Sequence, residues 1–92
     1  MTESNTDRVL RNFLDGDGRL HTIPTKRAKR LVVLDHLAQR FELGRVYPEA
    51  EVVAILTEFH PDHAALRRYL VDDQFLTREG SHYWRSGGTV EV

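Results

Sequence analysis

The last third of the chain, Asp62 to Arg85, places the strongest limits on the fold. It reads DHAALRRYLVDDQFLTREGSHYWR and begins with aspartate, a residue that favours helix N-caps. Leu66 and Leu70 lie four residues apart, a spacing that predicts a short helix with one apolar face. Two stretches with β-branched and aromatic residues follow, on either side of a glycine-containing turn. The segment therefore predicts a helix followed by a tight antiparallel hairpin.

The register of this hairpin depends on the length of its turn. A two-residue turn at Glu79–Gly80 pairs Leu76 with Tyr83, whereas a three-residue turn pairs Leu76 with Trp84. The sequence leaves both registers open. One aromatic residue closes the core, and the other is a candidate partner contact, because Trp and Tyr are enriched at interface hot spots.

The clearest amphipathic pattern lies between Pro24 and Gly44. Proline in the first turn and glycine just past the end are typical helix boundaries, and Thr22 or Thr25 lies near the cap. Apolar residues recur between them at three- and four-residue steps, which predicts that these side chains face the core: Ala28, Leu31, Leu34, Ala38 and Phe41, with Leu37 alongside.

Shorter elements flank this helix. Residues 1–18 are predicted to form an N-terminal segment, a short helix with the apolar stripe Val9, Leu10, Phe13 and Leu14, ended by an Asp-Gly-Asp-Gly turn. Arg45 to Tyr47 is predicted to be extended. Pro48 then opens a helix with acidic residues in its first turn, where the helix dipole favours them, and with the buried stripe Val52, Ile55, Leu56 and Phe59.

The element order is therefore helix, short strand, helix, helix, strand, strand. This order predicts a mostly helical α+β fold, a winged helix-turn-helix, over residues 19–86. The N-terminal segment precedes it, and residues 87–92 are predicted to form a flexible tail. Winged helices also serve as protein-interaction domains, so this fold alone does not define a function.

Three motifs carry a resemblance to a known family. They are IPTKRAKRLVVLDHLAQRF (Ile23 to Phe41), YPEAEV (Tyr47 to Val52) and DHAALRRYLVD (Asp62 to Asp72), with the closing YWR in agreement. Over roughly Arg19 to Arg85 the chain resembles the bacterial domain-of-unknown-function family 2087. Members of that family occur alone or fused to helix-turn-helix regulators. The resemblance implies a winged-helix-like domain and a regulatory role by association, and it supplies no catalytic residues.

Composition excludes several classes of protein. A chain of 92 residues makes one small domain, and the absence of cysteine excludes disulfides and thiolate metal sites. Its apolar runs are too short to span a membrane, and its polar start predicts a cytoplasmic protein. A net charge of −1 argues against strong nucleic-acid binding by the isolated domain. However, residues 19–45 carry seven basic and two acidic residues, which can create a local binding face.

Two groups of basic residues are candidate contacts for double-stranded DNA. Arg67 and Arg68 lie on the predicted recognition helix, where arginine can donate two hydrogen bonds to guanine. Candidate phosphate contacts come from the amphipathic helix after Pro24 and from the wing, namely Lys26, Arg27, Lys29, Arg30, Arg78 and Arg85. The alternative is that these charges form intramolecular ion pairs. Arg67 and Arg68 would pair with Glu58, Asp72 or Asp73, and the earlier group with the acid-rich helix that begins at Pro48.

Other chemistry has weak support in the sequence, so we predict no metal, cofactor or catalytic site. The HPDH group (His60 to His63) favours a helix-start turn, because the proline and the capping aspartate make its side chains diverge from a common ion. The Asp-Gly-Asp-Gly turn lacks the acidic residues that a calcium loop needs at both ends. Ser81 and His82 are adjacent on a predicted strand and point to opposite faces, so they cannot form a catalytic dyad.

Two functional hypotheses follow. The first is a non-enzymatic, DNA-associated transcriptional regulator or accessory domain, which we expect to act as a homodimer because a near-neutral monomer binds DNA weakly. The second is a winged-helix module that binds another protein instead of DNA. In that case the basic helix faces an acidic partner and the N-terminal stripe is a docking or dimerisation element.

Overall fold

The computed structural model describes residues 4–90, so the ends of the predicted N-terminal segment and tail, residues 1–3 and 91–92, lie outside the description. Within these limits the elements are α1 Asn5–Phe13, α2 Arg27–Ala38, β1 Val46–Pro48, α3 Glu49–Thr57, α4 His63–Asp72, β2 Leu76–Glu79 and β3 His82–Arg85. The strands form one antiparallel sheet in the order β1–β3–β2. After α1 this is the predicted order, so the α+β, winged-helix layout is confirmed.

The hairpin pairs in a register that differs from both predicted registers. Leu76 lies opposite Arg85, and the two-residue turn is Gly80–Ser81 instead of Glu79–Gly80. Gly80 has a φ of +62°. A type II′ turn needs positive φ at its first central position and favours glycine there. Because glycine takes the first position of the turn and not the second, the turn moves one residue along the chain.

This register decides which aromatic residue closes the core. Tyr83 lies opposite Tyr47 of β1, and both side chains are buried. Trp84 points to the other face of the sheet, where it is half-buried opposite Val46. Tyr47 also packs edge-to-face on a phenylalanine that follows α2, with 5.1 Å between ring centroids. The two tyrosines therefore join the sheet to the helices.

The helix α2 is shorter than predicted at both ends. It begins at Arg27 and not near Pro24, and it ends at Ala38. The next three backbone N–H groups donate to carbonyls three residues back, which tightens the chain so that Phe41 enters the core with 1% of its surface exposed. Gly44 lies later, with a φ of +80°, in the turn before β1.

The buried face of α2 also differs from the predicted stripe. Val33, Leu34, Leu37 and Ala38 are buried, whereas Leu31 is only half-buried and Ala28 is exposed. The N-cap and first turn of α2 extend past the core, since the side chains of residues 26 to 29 are all exposed.

Both α3 and α4 begin where the sequence predicts. Pro48 is at the N-cap of α3, with Glu49 and Glu51 in the first turn. Asp62 caps α4 by accepting a hydrogen bond from the Ala65 backbone N–H at 3.1 Å. Their predicted apolar residues pack together, with Val52, Leu56, Phe59, Leu66 and Leu70 buried and Ile55 partly buried.

The N-terminal helix packs on the same core. Val9 is buried and the rest of its stripe, Leu10, Phe13 and Leu14, lies against the core cluster. Since Leu10, Phe13 and Leu14 are only partly buried, docking or dimerisation through this stripe stays a prediction.

The chain end is hydrogen bonded to α2. Thr89 donates its backbone N–H and its hydroxyl to the two carboxylate oxygens of Asp35, each at 2.7 Å. Burial raises the pKa of Asp35, but the hydrogen bonds from Thr89 and Gln39 outweigh burial and hold the pKa below its usual value. The flexibility predicted for residues 87–92 concerns motion and stays a prediction.

Candidate nucleic-acid interface

The outer face of α4 is not covered by any other part of the described chain. Ala64, Arg68 and Asp72 are exposed there at four-residue steps. The Arg68 side chain has no ion-pair or hydrogen-bond partner within residues 4–90. Arg67, its neighbour, is only 24% exposed and leans toward α3. The exposed cation at the middle of α4 is therefore Arg68.

A groove of about 320 Å³ lies between α4 and the hairpin, and we call it the arginine groove. It is lined by Arg67 and Arg68 of α4, by Arg78 of β2 and by the buried Tyr83 of β3. The Arg78 Nε donates to the Gly80 carbonyl oxygen at 2.8 Å, so the side chain lies along the hairpin. Its guanidinium carbon is 5.7 Å from the centre of the Tyr83 ring. The fold thus brings the predicted recognition-helix arginines and one wing arginine into a single site.

The carboxylate of Glu49 lies beside the arginine groove. Glu49 Oε1 accepts a hydrogen bond from the Tyr83 hydroxyl at 3.0 Å. The same oxygen is 3.7 Å from Arg67 Nη1 and 3.8 Å from Arg78 Nη2. Burial, followed by the hydrogen bond to Glu49, raises the pKa of Tyr83 above its usual value of 10.0. The Tyr83 hydroxyl therefore stays protonated at neutral pH and donates the hydrogen bond to Glu49.

The predicted basic residues around the start of α2, which we call the basic cluster (Lys26, Arg27, Lys29 and Arg30), divide into two pairs. Arg27 forms a 3.0 Å ion pair with Asp73 at the end of α4. Arg30 donates to the Thr25 carbonyl oxygen at 3.1 Å, and its guanidinium stacks 4.3 Å from the centre of the Tyr69 ring. The two lysines are exposed and have no side-chain partner in the described part of the chain.

The intramolecular ion pairs of these residues differ from those that the sequence suggested. Asp73 pairs with Arg27, and Glu58 pairs with Arg40 at 3.1 Å, so neither acid neutralises α4. The partner of Arg67 is Glu49, which the sequence did not suggest. None of the basic cluster pairs with α3 in residues 4–90. The ion pair with Arg27 also offsets the negative charge of Asp73 at the end of α4.

Arg85 is not a wing contact. It is buried with 9% of its surface exposed, and it donates to three carbonyl oxygens, those of Phe41 at 3.3 Å, Gly87 at 2.9 Å and Thr89 at 2.7 Å. Successive strand residues alternate between faces, so Arg85 shares the inner face with Tyr83. Its guanidinium joins residues 87 and 89 to the segment that follows α2, so Arg85 is no longer a candidate DNA contact.

The HPDH group builds the turn before α4. The His60 Nδ1 accepts from the Asp62 N–H at 3.0 Å, and Asp62 itself is the N-cap. No three His, Asp or Glu side chains within residues 4–90 come close enough to hold a metal ion. In the earlier glycine turn, the Asp15 carboxylate accepts backbone N–H groups of Arg19 and Asp17, which hold the pKa of Asp15 below its usual value.

The fold and site together define the class of the protein, a winged-helix domain with an arginine groove between its third core helix and its wing. The chain belongs to a bacterial family of uncharacterised proteins, DUF2087, whose model matches residues 19–85. No curated protein and no solved structure matches the chain. None of the helices in residues 4–90 is long and apolar enough to cross a membrane.

Proposed function

We propose that this chain is a non-enzymatic DNA-binding protein of the regulatory class. The helix α4 enters the major groove, where Arg68 contacts a base edge or an adjacent phosphate. Arg78 of the wing and the two lysines of the basic cluster contact flanking phosphates. Arg67 lines the arginine groove beside Arg68 and Arg78. One observation carries the proposal. Arg68 is exposed and has no partner within residues 4–90, on a helix face that the described chain leaves uncovered.

The overall charge implies a dimer on any defined site. With a net charge of −1, one domain has little general attraction for DNA, so affinity must come from local contacts made twice. Two copies on a two-fold axis would place their α4 helices in major grooves roughly 34–36 Å apart, one helical turn of the duplex.

A salt-dependent titration tests the proposal. A fluorescein-labelled duplex is titrated with the protein at about 50 and 200 mM salt, and anisotropy reports binding. We expect binding at low salt that weakens at high salt, because contacted phosphates release counterions. Arg68→Ala should cost about 1–3 kcal/mol of binding free energy.

The matched control is Arg40→Ala, which removes the same charge. Arg40 is paired with Glu58 and lines a cavity away from α4. It should leave affinity almost unchanged. No binding by the wild type at low salt would overturn the DNA proposal, and equal losses in the two variants would overturn the role of Arg68.

A second candidate function is docking to another protein. It is favoured by two exposed apolar side chains, Leu43 at 55% and Val46 at 56%, near the free edge of the sheet. This candidate predicts no DNA binding. It also predicts binding to an acidic protein that is lost when the lysines of the basic cluster are replaced.

A further inference from the structure

The arginine groove already holds an anion, the side chain of Glu49. Two guanidinium groups and a phenolic hydroxyl converge on the single oxygen Oε1 of this residue. Arginine guanidinium groups and tyrosine hydroxyl groups are also donors with which proteins bind phosphate oxygens. The groove therefore has the donor set of a phosphate site with a carboxylate at its edge.

The distances show that this carboxylate is within hydrogen-bond range of only one of its three neighbouring donor groups. The Tyr83 hydroxyl is within hydrogen-bond range of Oε1 at 3.0 Å. The guanidinium nitrogens of Arg67 and Arg78 lie at 3.7 and 3.8 Å, beyond the 2.7–2.9 Å typical of charge-assisted hydrogen bonds. Both arginines thus keep N–H donors for a second anion.

The backbone fixes Glu49 in this position. Its N–H donates to the carbonyl oxygen of Ser81 in the hairpin turn at 2.8 Å, which ties the start of α3 to the wing. Glu49 is also the first residue of α3. The main chain of Glu49 is therefore held beside the groove, which keeps its carboxylate within reach of the arginines.

We propose that the arginine groove is a phosphate-binding site and that Glu49 is its internal competitor. The groove has three guanidinium groups against the carboxylates of Glu49 and Asp72, which leaves one net positive charge. Glu49 lowers the affinity of the groove for phosphate and shields its arginines. That this phosphate belongs to DNA rests on the proposed function, whereas binding of inorganic phosphate does not.

The first test uses inorganic phosphate and the variant Glu49→Gln. Glutamine keeps an oxygen for the Tyr83 hydroxyl and removes the negative charge. Phosphate is titrated into the full chain, and the arginine Nε–Hε resonances are followed by NMR. We expect shifts at Arg67, Arg68 and Arg78, and an affinity about fivefold higher in the variant, the upper end for partly exposed charge pairs.

The matched control is Glu51→Gln. Glu51 lies in the same first turn of α3, so both variants lose the same charge and the same interaction with the helix dipole. Its carboxylate, however, pairs with Arg45 at 2.6 Å and not with the groove. We expect less than about a twofold change in phosphate affinity for this control.

The second test uses the double variant Glu49→Gln/Arg78→Ala. If Glu49 acts by competing for the arginines, the gain measured against Arg78→Ala alone should shrink without vanishing, because Arg67 still lies 3.7 Å from Glu49 and residues that share one site are not additive. Retention of the full gain in the double variant would contradict competition at this groove.

Duplex DNA then separates this inference from the proposed function. Glu49→Gln should also bind DNA about fivefold more tightly and steepen the salt dependence by up to about one unit. Phosphate binding without DNA binding would keep the groove and reject the proposed function. DNA binding that Glu49→Gln leaves unchanged or weakens, or that Glu51→Gln raises equally, would overturn the role of Glu49. No phosphate shifts at the three arginines would overturn the site.

Discussion

Replacing Arg85 with methionine should destabilise the protein and leave the proposed DNA contacts in place. Methionine preserves most of the buried aliphatic part of the arginine side chain and removes its hydrogen bonds to three carbonyl oxygens. Two of these bonds are short, 2.7 and 2.9 Å, and the third is longer, 3.3 Å. Each such hydrogen bond contributes about 1 kcal/mol net, so the loss is about 3 kcal/mol of unfolding free energy. For a domain of this size, that lowers Tm by about 12–24 °C.

Urea unfolding followed by Trp84 fluorescence measures this loss. The control is Arg40→Met, whose ion pair with Glu58 is exposed and should contribute no more than about 1 kcal/mol. A loss below about 1 kcal/mol for Arg85→Met would refute the inference that this guanidinium holds the chain end. Folded Arg85→Met should bind DNA as the wild type does, whereas a wing contact would lose affinity in proportion to its phosphate bonds.

Three further predictions concern the tail and the basic cluster. The pKa of Asp35 in the folded protein lies below its usual 3.8, so the stabilisation from its ionised carboxylate is present above about pH 4 and is lost as pH falls through the folded pKa. In urea unfolding at a series of pH values, Asp35→Asn should therefore reduce the fall of the unfolding free energy at acid pH. Gly87→Ala should lower Tm, since a β-carbon would clash with the Gln74 carbonyl oxygen, while Gly16→Ala, with open space around it, should not. Replacing Lys26 with alanine should weaken binding to all DNA sequences and reduce the salt slope by about one unit in anisotropy titrations.

Local signals in the sequence predicted the elements well. The capping aspartate Asp62 and the helix-opening Pro48 depend on neighbours within three residues, so their roles could be predicted without the rest of the fold. The end of α2 could not be predicted in this way. It depends on Phe41 leaving the helix to pack on Tyr47, a contact with a strand that follows it.

The candidate site was only partly predictable. Arg67, Arg68 and Arg78 were predicted as candidate DNA contacts on a helix and a wing, and the fold brings them together. Glu49 was assigned only to a helix start, because its contact with the groove depends on the hairpin turn far along the chain. Arg85 was misassigned because strand alternation places it on the same face as Tyr83, and the sequence did not show that this face is the buried one.

The most direct test of the DNA-binding proposal is to map the DNA contact on the protein. Backbone amide and arginine side-chain NMR resonances are recorded as a mixed-sequence duplex is added at low salt. The proposal predicts that the largest changes occur at Arg68 and its α4 neighbours, at the hairpin turn, and at Lys26 and Lys29. Changes confined to the outer sheet face around Val46, or no changes at all, would contradict it.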